Sequence, residues 1–378
     1  MPAHVPRFHR GTNHSMTLLP TVSIMKGLVL SGGKGTRLRP ITHTAAKQLI
    51  PVANKPILFF VLDNLASASV TDIGIVISPE TGDAIRNAVG DGSSFGIDLT
   101  WIVQDSPRGL AHAVMVSRDF LGDSPFVMYL GDNLIETRIG SFVEDFERST
   151  TSAMVLLKSV DNPSAFGIAT VDEAGRLTRL IEKPANPQSD LALVGVYFFK
   201  SAIHEAISVI EPSSRGELEI TDAIQRLLDS GADVESRIIT DWWLDTGKKD
   251  DLLAANTTVL ETWCKGIVRG KVDASSRLVG RVDVGEGSVI RGSQVEGPVV
   301  IGRNCTVTDS HIGPFTSIGD GATIIDSHVR HAVLLESCTL SGVEQLTDSL
   351  IGRNATITRN GSDGAMRVSI GDDSYIET

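Results

Sequence analysis

Arg37, Lys47, Asp132, Lys183 and Asp245 are charged, far apart in the chain, and set in short stretches that restrict their motion. The first two surround a glycine-rich loop. The apolar run Leu28-Val29-Leu30 stops at Ser31-Gly32-Gly33-Lys34-Gly35-Thr36-Arg37-Leu38-Arg39-Pro40, and Lys47-Gln48-Leu49-Ile50-Pro51 follows closely. Glycines let backbone N–H groups approach phosphate oxygens, and cations beyond them neutralise charge, so the pattern suits a nucleoside triphosphate. No Gly-Lys-Ser/Thr closes a Walker A loop, and the glycines lack the G-x-G-x-x-G spacing of the dinucleotide fingerprint. Taken alone, the same glycines fit a solvated strand-to-helix turn equally well.

Two carboxylates from separate parts of a chain can share a divalent metal that bridges phosphate oxygens, and Asp132 and Asp245 are candidates for that pair. Asp132 follows the apolar run Phe126–Leu130, and Asp245 follows Trp242-Trp243-Leu244. Each read alone is also an ordinary turn residue. Lys183, in Glu182-Lys183-Pro184, read alone is a surface lysine. Gln104 carries a donor and an acceptor, which suits the imide edge of thymine or uracil and equally suits a loop.

With the Gly-Thr-Arg-Leu-x-Pro continuation and the Lys-Gln-Leu-x-Pro segment, the chain resembles the sugar-1-phosphate nucleotidylyltransferases over roughly residues 25 to 260. Within them it is most similar to the glucose-1-phosphate thymidylyltransferases, in which Lys-Gln-Leu is typical. The resemblance implies a Mg²⁺-dependent condensation of dTTP with glucose 1-phosphate, giving dTDP-glucose and pyrophosphate. It implies that Asp132 and Asp245 hold the metal and that Arg37 and Lys47 stabilise the leaving pyrophosphate. Lys183 would hold the sugar phosphate in line with the α-phosphorus, and Glu182 would bind sugar hydroxyls beside Gly167 and the Val194-Gly195 backbone. Leu30, Gly32, Gly33, Gly35, Thr36, Arg37, Gln48, Gln104 and Gly109 would line the nucleotide. His112 and Phe166 depart from the glutamine and tyrosine of many short-form members.

Positioning these residues requires a scaffold. Strands at Gly27–Leu30, Ile73–Ile77, Leu99–Val103 and Phe126–Leu130 alternate with helices at Ile57–Ala68 and Leu110–Phe120, a pattern that predicts an α/β, Rossmann-like, mostly parallel sheet covered on both faces. Ligands then belong at the carboxyl ends of the strands, where the glycine loop, Gln104–Gly109 and Gly131–Asn133 all fall. Residues 151–200 read as short antiparallel additions that form a sugar-binding lobe. Thr221 reads as the N-cap of a following helix, and Lys249–Trp263 as another helix.

Past Gly266 helix formers thin out, and Val284-Gly285, Ile301-Gly302, Ile318-Gly319, Ile351-Gly352 and Ile370-Gly371 share one register. A period of about six residues marks a left-handed parallel β-helix. The expected division is a disordered tail or leader over 1–24, a nucleotidyltransferase domain over 25–265 and the β-helix over 266–378. The irregular stretch from His331 to Leu346 predicts a bulge or loop. The β-helix resembles that of long-form thymidylyltransferases from pathways to unusual deoxysugars.

The chain has 378 residues, 41% of them apolar, which is ample for two cores. No run approaches a membrane span, and a net charge of −12 argues against nucleic acid as a partner. Cys264, Cys305 and Cys338 have no metal-ligand spacing and fit reduced thiols of a cytoplasmic protein. The expected partners are the two small substrates and further copies of the chain. Competing readings are a uridylyl or other hexose-1-phosphate nucleotidylyltransferase, a non-catalytic subunit of the same fold, and an added acyltransferase using His311, His328 or His331 in the repeats.

Overall fold

The computed structural model describes residues 25–359, 366 and 368–377, apart from Lys34, Thr36, Arg37, Thr44 and Ala45. The tail over 1–24 therefore lies outside the described residues. The catalytic half is built on β1 (Lys26–Leu30), β2 (Asp72–Ile77), β3 (Asp98–Val103) and β4 (Phe126–Leu130). They run parallel in the order β4-β1-β2-β3, with Gly27 opposite both Ile73 and Val127. Leu28 and Val29 point to opposite faces and are both fully buried, the mark of a central parallel strand covered by helices on each side.

The expected helices are present, with one correction. Ile57–Ser67 is continuous, whereas the second breaks into Leu110–Val116 and Arg118–Leu121. At the break, Ser117 Oγ donates to Ala113 O at 2.7 Å, and a serine bonded back to the i−4 carbonyl bends a helix.

The strands over residues 151–200 are antiparallel, as expected, and they add to the central sheet itself. Leu191–Phe199 pairs antiparallel with β4 directly, and Ala153–Ser159 and Gly167–Val171 pair with it in turn. They widen the central sheet to nine strands. The reason is burial: Val194, Val196 and Phe198 face one of the two cores already built by β1 and β4, and Leu193, Tyr197 and Phe199 face the other, so neither face of this strand is free to leave the sheet.

The second half is a parallel β-helix, consistent with the left-handed type, in which three stacks of short strands enclose one core. Ile290, Val307, Ile324, Leu340 and Ile357 form one fully buried column, Val295, Ile312, Val329 and Leu346 a second, and Val284, Ile301, Ile318, Leu334 and Ile351 a third. At one corner Ser293, Ser310 and Ser327 stack, each hydroxyl accepting an N–H from the next coil at 3.0–3.1 Å. That satisfies backbone donors which the tight turn would otherwise leave unpaired in the interior.

The stretch from His331 to Leu346 is irregular at two corners. At the first, Ile312 to Ser317 on one coil lies opposite Val329 to Val333 on the next, one residue fewer. His331 and Asp348 take the turn with φ of 47° and 49°, and their side chains meet at 2.5 Å. At the second, Ile324 to Val329 lies opposite Leu340 to Leu346, one residue more, so the corner over 342–345 bulges as expected. The sequence loses its six-residue period there because one corner residue is absent and another is added, while the inward columns continue.

The helix Lys249–Trp263 joins the halves. It lays Leu252, Leu253 and Val259 against Val333, Leu335 and Leu350 of the coil in a shared apolar cluster with Ile50, Val52 and Ile57. Asn256, fully buried, crosses the seam: its Oδ1 accepts from Ala53 N at 2.9 Å and from Ser317 Oγ, and its Nδ2 donates to Phe315 O at 3.0 Å.

Candidate active site

The carboxyl ends of β1, β3 and β4 meet on one rim. Leu30 ends β1, and its carbonyl accepts from Gly131 N at 2.9 Å, which locks the glycine loop to the Gly131-Asp132-Asn133 turn. A side chain on Gly131 would stand 2.9 Å from that carbonyl, so only glycine allows the approach. In the loop itself Gly35 has the left-handed conformation, with φ +60°; its carbonyl accepts from Thr42 Oγ1 at 2.7 Å. Gln48 lies buried under the loop, its Nε2 3.5 Å from where a Gly33 side chain would begin, and its Oε1 finds no donor among the described residues. Thr36 and Arg37 lie outside the described residues.

Lys47 is the centre of the charge arrangement. Its side chain is 7% exposed, and its Nζ lies 2.5 Å from Asp132 Oδ2 and 3.8 Å from Asp245 Oδ1. Residues separated by over a hundred positions thus converge on one cation. Asp132 is fixed on its other oxygen by Asn133 Nδ2 at 2.9 Å, Asn133 Oδ1 accepts from Trp243 Nε1 at 2.7 Å, and Thr246 Oγ1 holds the Asp132 carbonyl at 2.8 Å. The antiparallel pairing of Asn133–Ile135 with Trp243–Asp245 brings the two aspartates side by side.

Two hard carboxylates that already hold a cation between them fit a magnesium ion, which takes one or two carboxylates and completes its octahedron from substrate phosphates and water. Among the described residues no group of three or more His, Cys, Asp or Glu gathers as an all-protein metal site.

At the carboxyl end of β3, Gln104 has its N–H on Ile77 O at 2.9 Å. Its Nε2 lies 3.2 Å from Gly109 O and 2.9 Å from His112 Nδ1. Gly109 has φ +101° and passes so close to Leu218 that a side chain would overlap its backbone. At the end of the strand Leu177–Glu182, Lys183 also sits at positive φ, 42°, and its Nζ pairs with Glu182 Oε1 at 3.1 Å. A Gly167 side chain would begin 3.0 Å from Glu182 Oε2, and Val194 is buried beside Gly195, which abuts Asn133 Oδ1. Phe166 meets Trp243 edge to face at 5.0 Å between ring centres, so the segment before Gly167–Val171 reaches the carboxylate pair through Trp243 and Asn133.

Thr221 is not a cap. The helix Ile220–Asp229 has Glu219 at its N-cap, and Thr221 is buried within the first turn, Oγ1 3.5 Å from Glu182 Oε2. Sequence reading passed over Arg215, which joins Glu182 at 3.3 Å, Glu217 at 3.0 Å and Glu219 at 3.4 Å. A lone arginine two and four residues before glutamates was the available signal. Asn133 and Thr246 were likewise visible only as neighbours of the two aspartates.

A glycine loop facing two carboxylates, at the switch between parallel and antiparallel strands, defines a phosphate-handling transferase. The family model described as nucleotidyl transferase matches residues 26–262, and the chain belongs to that family. It is 50% identical over 355 residues to the glucose-1-phosphate thymidylyltransferase of Streptomyces antibioticus, covering 93% of this chain and 99% of that protein. It is 49% identical over 337 residues to the enzyme of the same name from Streptomyces griseus, covering 88% and 94%. A crystal structure of a putative glucose-1-phosphate thymidylyltransferase from Bacillus anthracis, in complex with a sucrose, superposes with TM-score 0.59 and 37% identity. That match covers 62% of this chain and 94% of the other, so most of the β-helix has no counterpart there.

Proposed function

We propose that the chain joins dTTP and α-D-glucose 1-phosphate into dTDP-glucose, releasing pyrophosphate, with Mg²⁺ at Asp132 and Asp245. The observation that carries this reading is the Lys47 cation shared by both carboxylates at the foot of the glycine loop. The sugar phosphate oxygen forms the new bond to the α-phosphorus, and the bond from that phosphorus to the α–β bridging oxygen breaks, its electron pair leaving with pyrophosphate. The nucleophile is already an anion, so the protein needs to position two negatively charged reactants and spread their charge rather than remove a proton. Lys183 aligns the sugar phosphate; Glu182, held by Arg215, receives sugar hydroxyls; Gly167 and Val194 leave room for the ring. Arg37 and Lys47 offset charge on the departing pyrophosphate, and backbone N–H groups of Gly32, Gly33 and Gly35 face the phosphates beside Leu30, Thr36 and Gln48. The metal, when bound, supplies Lewis-acid screening of the repulsion between the two phosphates.

The β-helix acts in assembly and adds no acyl transfer in this reading. Its strands lie on three sides: one is covered by the helix Lys249–Trp263, and another presents the uncharged, registered column Thr306, Thr323, Thr339 and Thr356, suited to contact between copies. The described residues include no helix long and apolar enough to cross a membrane. The test is pyrophosphate release for five nucleoside triphosphates against several hexose 1-phosphates, with and without chelator. dTTP with glucose 1-phosphate should be fastest, UTP poorer by the roughly 1–3 kcal/mol that a methyl group provides, and chelator should stop turnover. A preference for ATP or GTP would sink the assignment.

A further inference from the structure

The amide of Gln104 sits in a fixed sense. Its Nε2 lies 3.2 Å from the carbonyl oxygen of Gly109, and a carbonyl accepts without ever donating, so the group there is the NH₂. The other N–H of that NH₂ meets His112 Nδ1 at 2.9 Å, which requires His112 to be the acceptor: a neutral imidazole with its proton on Nε2. His112 is 3% exposed. Burial and the nearby Arg108 charge hold its pKa below the ordinary histidine value, with Asp105 opposing them. Both amide hydrogens are engaged, so Gln104 has Oε1 left to offer. That oxygen stands on the loop side, 3.5 Å from where a Gly32 side chain would begin.

We propose that His112 is a specificity-determining positioning residue, which holds Gln104 so that only an acceptor meets the base. The proposal rests on the reading above that Gln104 faces the base. An acceptor pairs with the N3–H of thymine or uracil. Cytosine has a bare N3 in the same place, so two lone pairs would oppose each other, and the site refuses it without any group that touches cytosine alone. A freed amide could turn over and offer its NH₂ to cytosine. Protonated His112 would present a donor to a donor, so the lock weakens on the acid side of the histidine range.

The experiment compares kcat/KM for dTTP and dCTP in wild type, His112→Leu, His112→Asn and Gln104→Ala, with KM for dTTP followed against pH. Asparagine places an acceptor where Nδ1 stands but does not titrate. His112→Leu should lower the dTTP-over-dCTP ratio about tenfold, the scale of one lost hydrogen bond, mainly through KM. His112→Asn should keep that ratio and lose the acid-side rise in KM expected of wild type. If His112→Leu leaves the ratio intact while Gln104→Ala collapses it, the lock is wrong and the base contact stands. If Gln104→Ala also leaves it intact, the base contact itself is wrong. Should the leucine variant not fold, the pH profiles of wild type and His112→Asn decide: coincident profiles overturn the proposal.

Discussion

The nucleotidyltransferase sheet and the β-helix both bury apolar side chains between parallel strands, but they draw their partners from opposite distances in the chain. Gly27 pairs with Ile73 and Val127, whereas Val307 pairs with Ile290 and Ile324, one coil away on either side. Long-range pairing costs loop-closure entropy and slows folding. It also brings segments around residues 30–48, 104–112, 131–133, 182–195 and 243–246 to one rim. On the proposed reading the chemistry belongs to the half whose strands come from far apart, and the coil serves assembly. Substitutions should separate along that line, rate falling in one half and stability in the other.

The sharpest separation is expected at the carboxylates. Asp132→Asn and Asp245→Asn should each lower kcat by about a thousandfold or more, the several kcal/mol that metal-held charge supplies. Folding should persist, because the remaining aspartate still accompanies Lys47. Near wild-type kcat at saturating Mg²⁺ in either variant would remove the shared-metal reading; thermal melts alongside the kinetics show whether the loss is catalytic.

The converse change is Leu340→Ala in the coil core. Leu340 is fully buried between Ile324 and Ile357. Emptying that site should cost about 2–5 kcal/mol in denaturant unfolding of the coil while kcat stays within about twofold, the part of rate expected to respond to a distant cavity being small. A large fall in kcat at unchanged KM would mean that the two halves are coupled more tightly than the division of labour allows.

Asn256 lies on the boundary. Asn256→Ala removes the acceptor of Ala53 N and Ser317 Oγ and the donor to Phe315 O in a dry seam, so it should cost roughly 1–3 kcal/mol and separate the melting of the halves. A single unchanged transition would argue that the apolar cluster around Leu253 and Val333 holds the seam unaided.

The two halves were also unequally legible in sequence. The coil can be read because its inward columns repeat at a fixed interval, and the irregular stretch after His331 marks one corner residue removed and one added before Leu346, which shift the period without disturbing the core. In the catalytic half the strands, the glycine loop and both aspartates were readable from local pattern. What escaped depended on tertiary pairing: which strand of the main sheet the segment after 151 would join is decided by Val194 and Phe198 facing a core that includes Val29, Ile75 and Tyr129. Arg215 likewise has meaning only once Glu182 is folded beside it.

Glu219 offers the smallest and most discriminating test, because it lies between packing and chemistry. Its carboxylate accepts from Ser213 Oγ at 2.8 Å and lies 3.4 Å from Arg215, yet it is 4% exposed. Burial raises its pKa above the ordinary 4.5; Ser213 and Arg215 oppose the shift, and Glu182 and Glu217 add to it. A raised folded pKa means that the folded state binds the proton more tightly than the unfolded chain. This group therefore stabilises fully below 4.5, and that stabilisation is lost as pH rises through the folded value. Glu219→Gln keeps an acceptor for Ser213 and carries no charge to bury. At pH 7 it should match or exceed wild-type stability by less than about 1 kcal/mol, and the gap should close as the pH approaches 4.5. Its release of Arg215 toward Glu182 should change KM for the sugar phosphate more than kcat. A variant that is less stable at pH 7, with the deficit shrinking in acid, would show that the Arg215 ion pair outweighs burial, and Glu219 would then belong with the charged site.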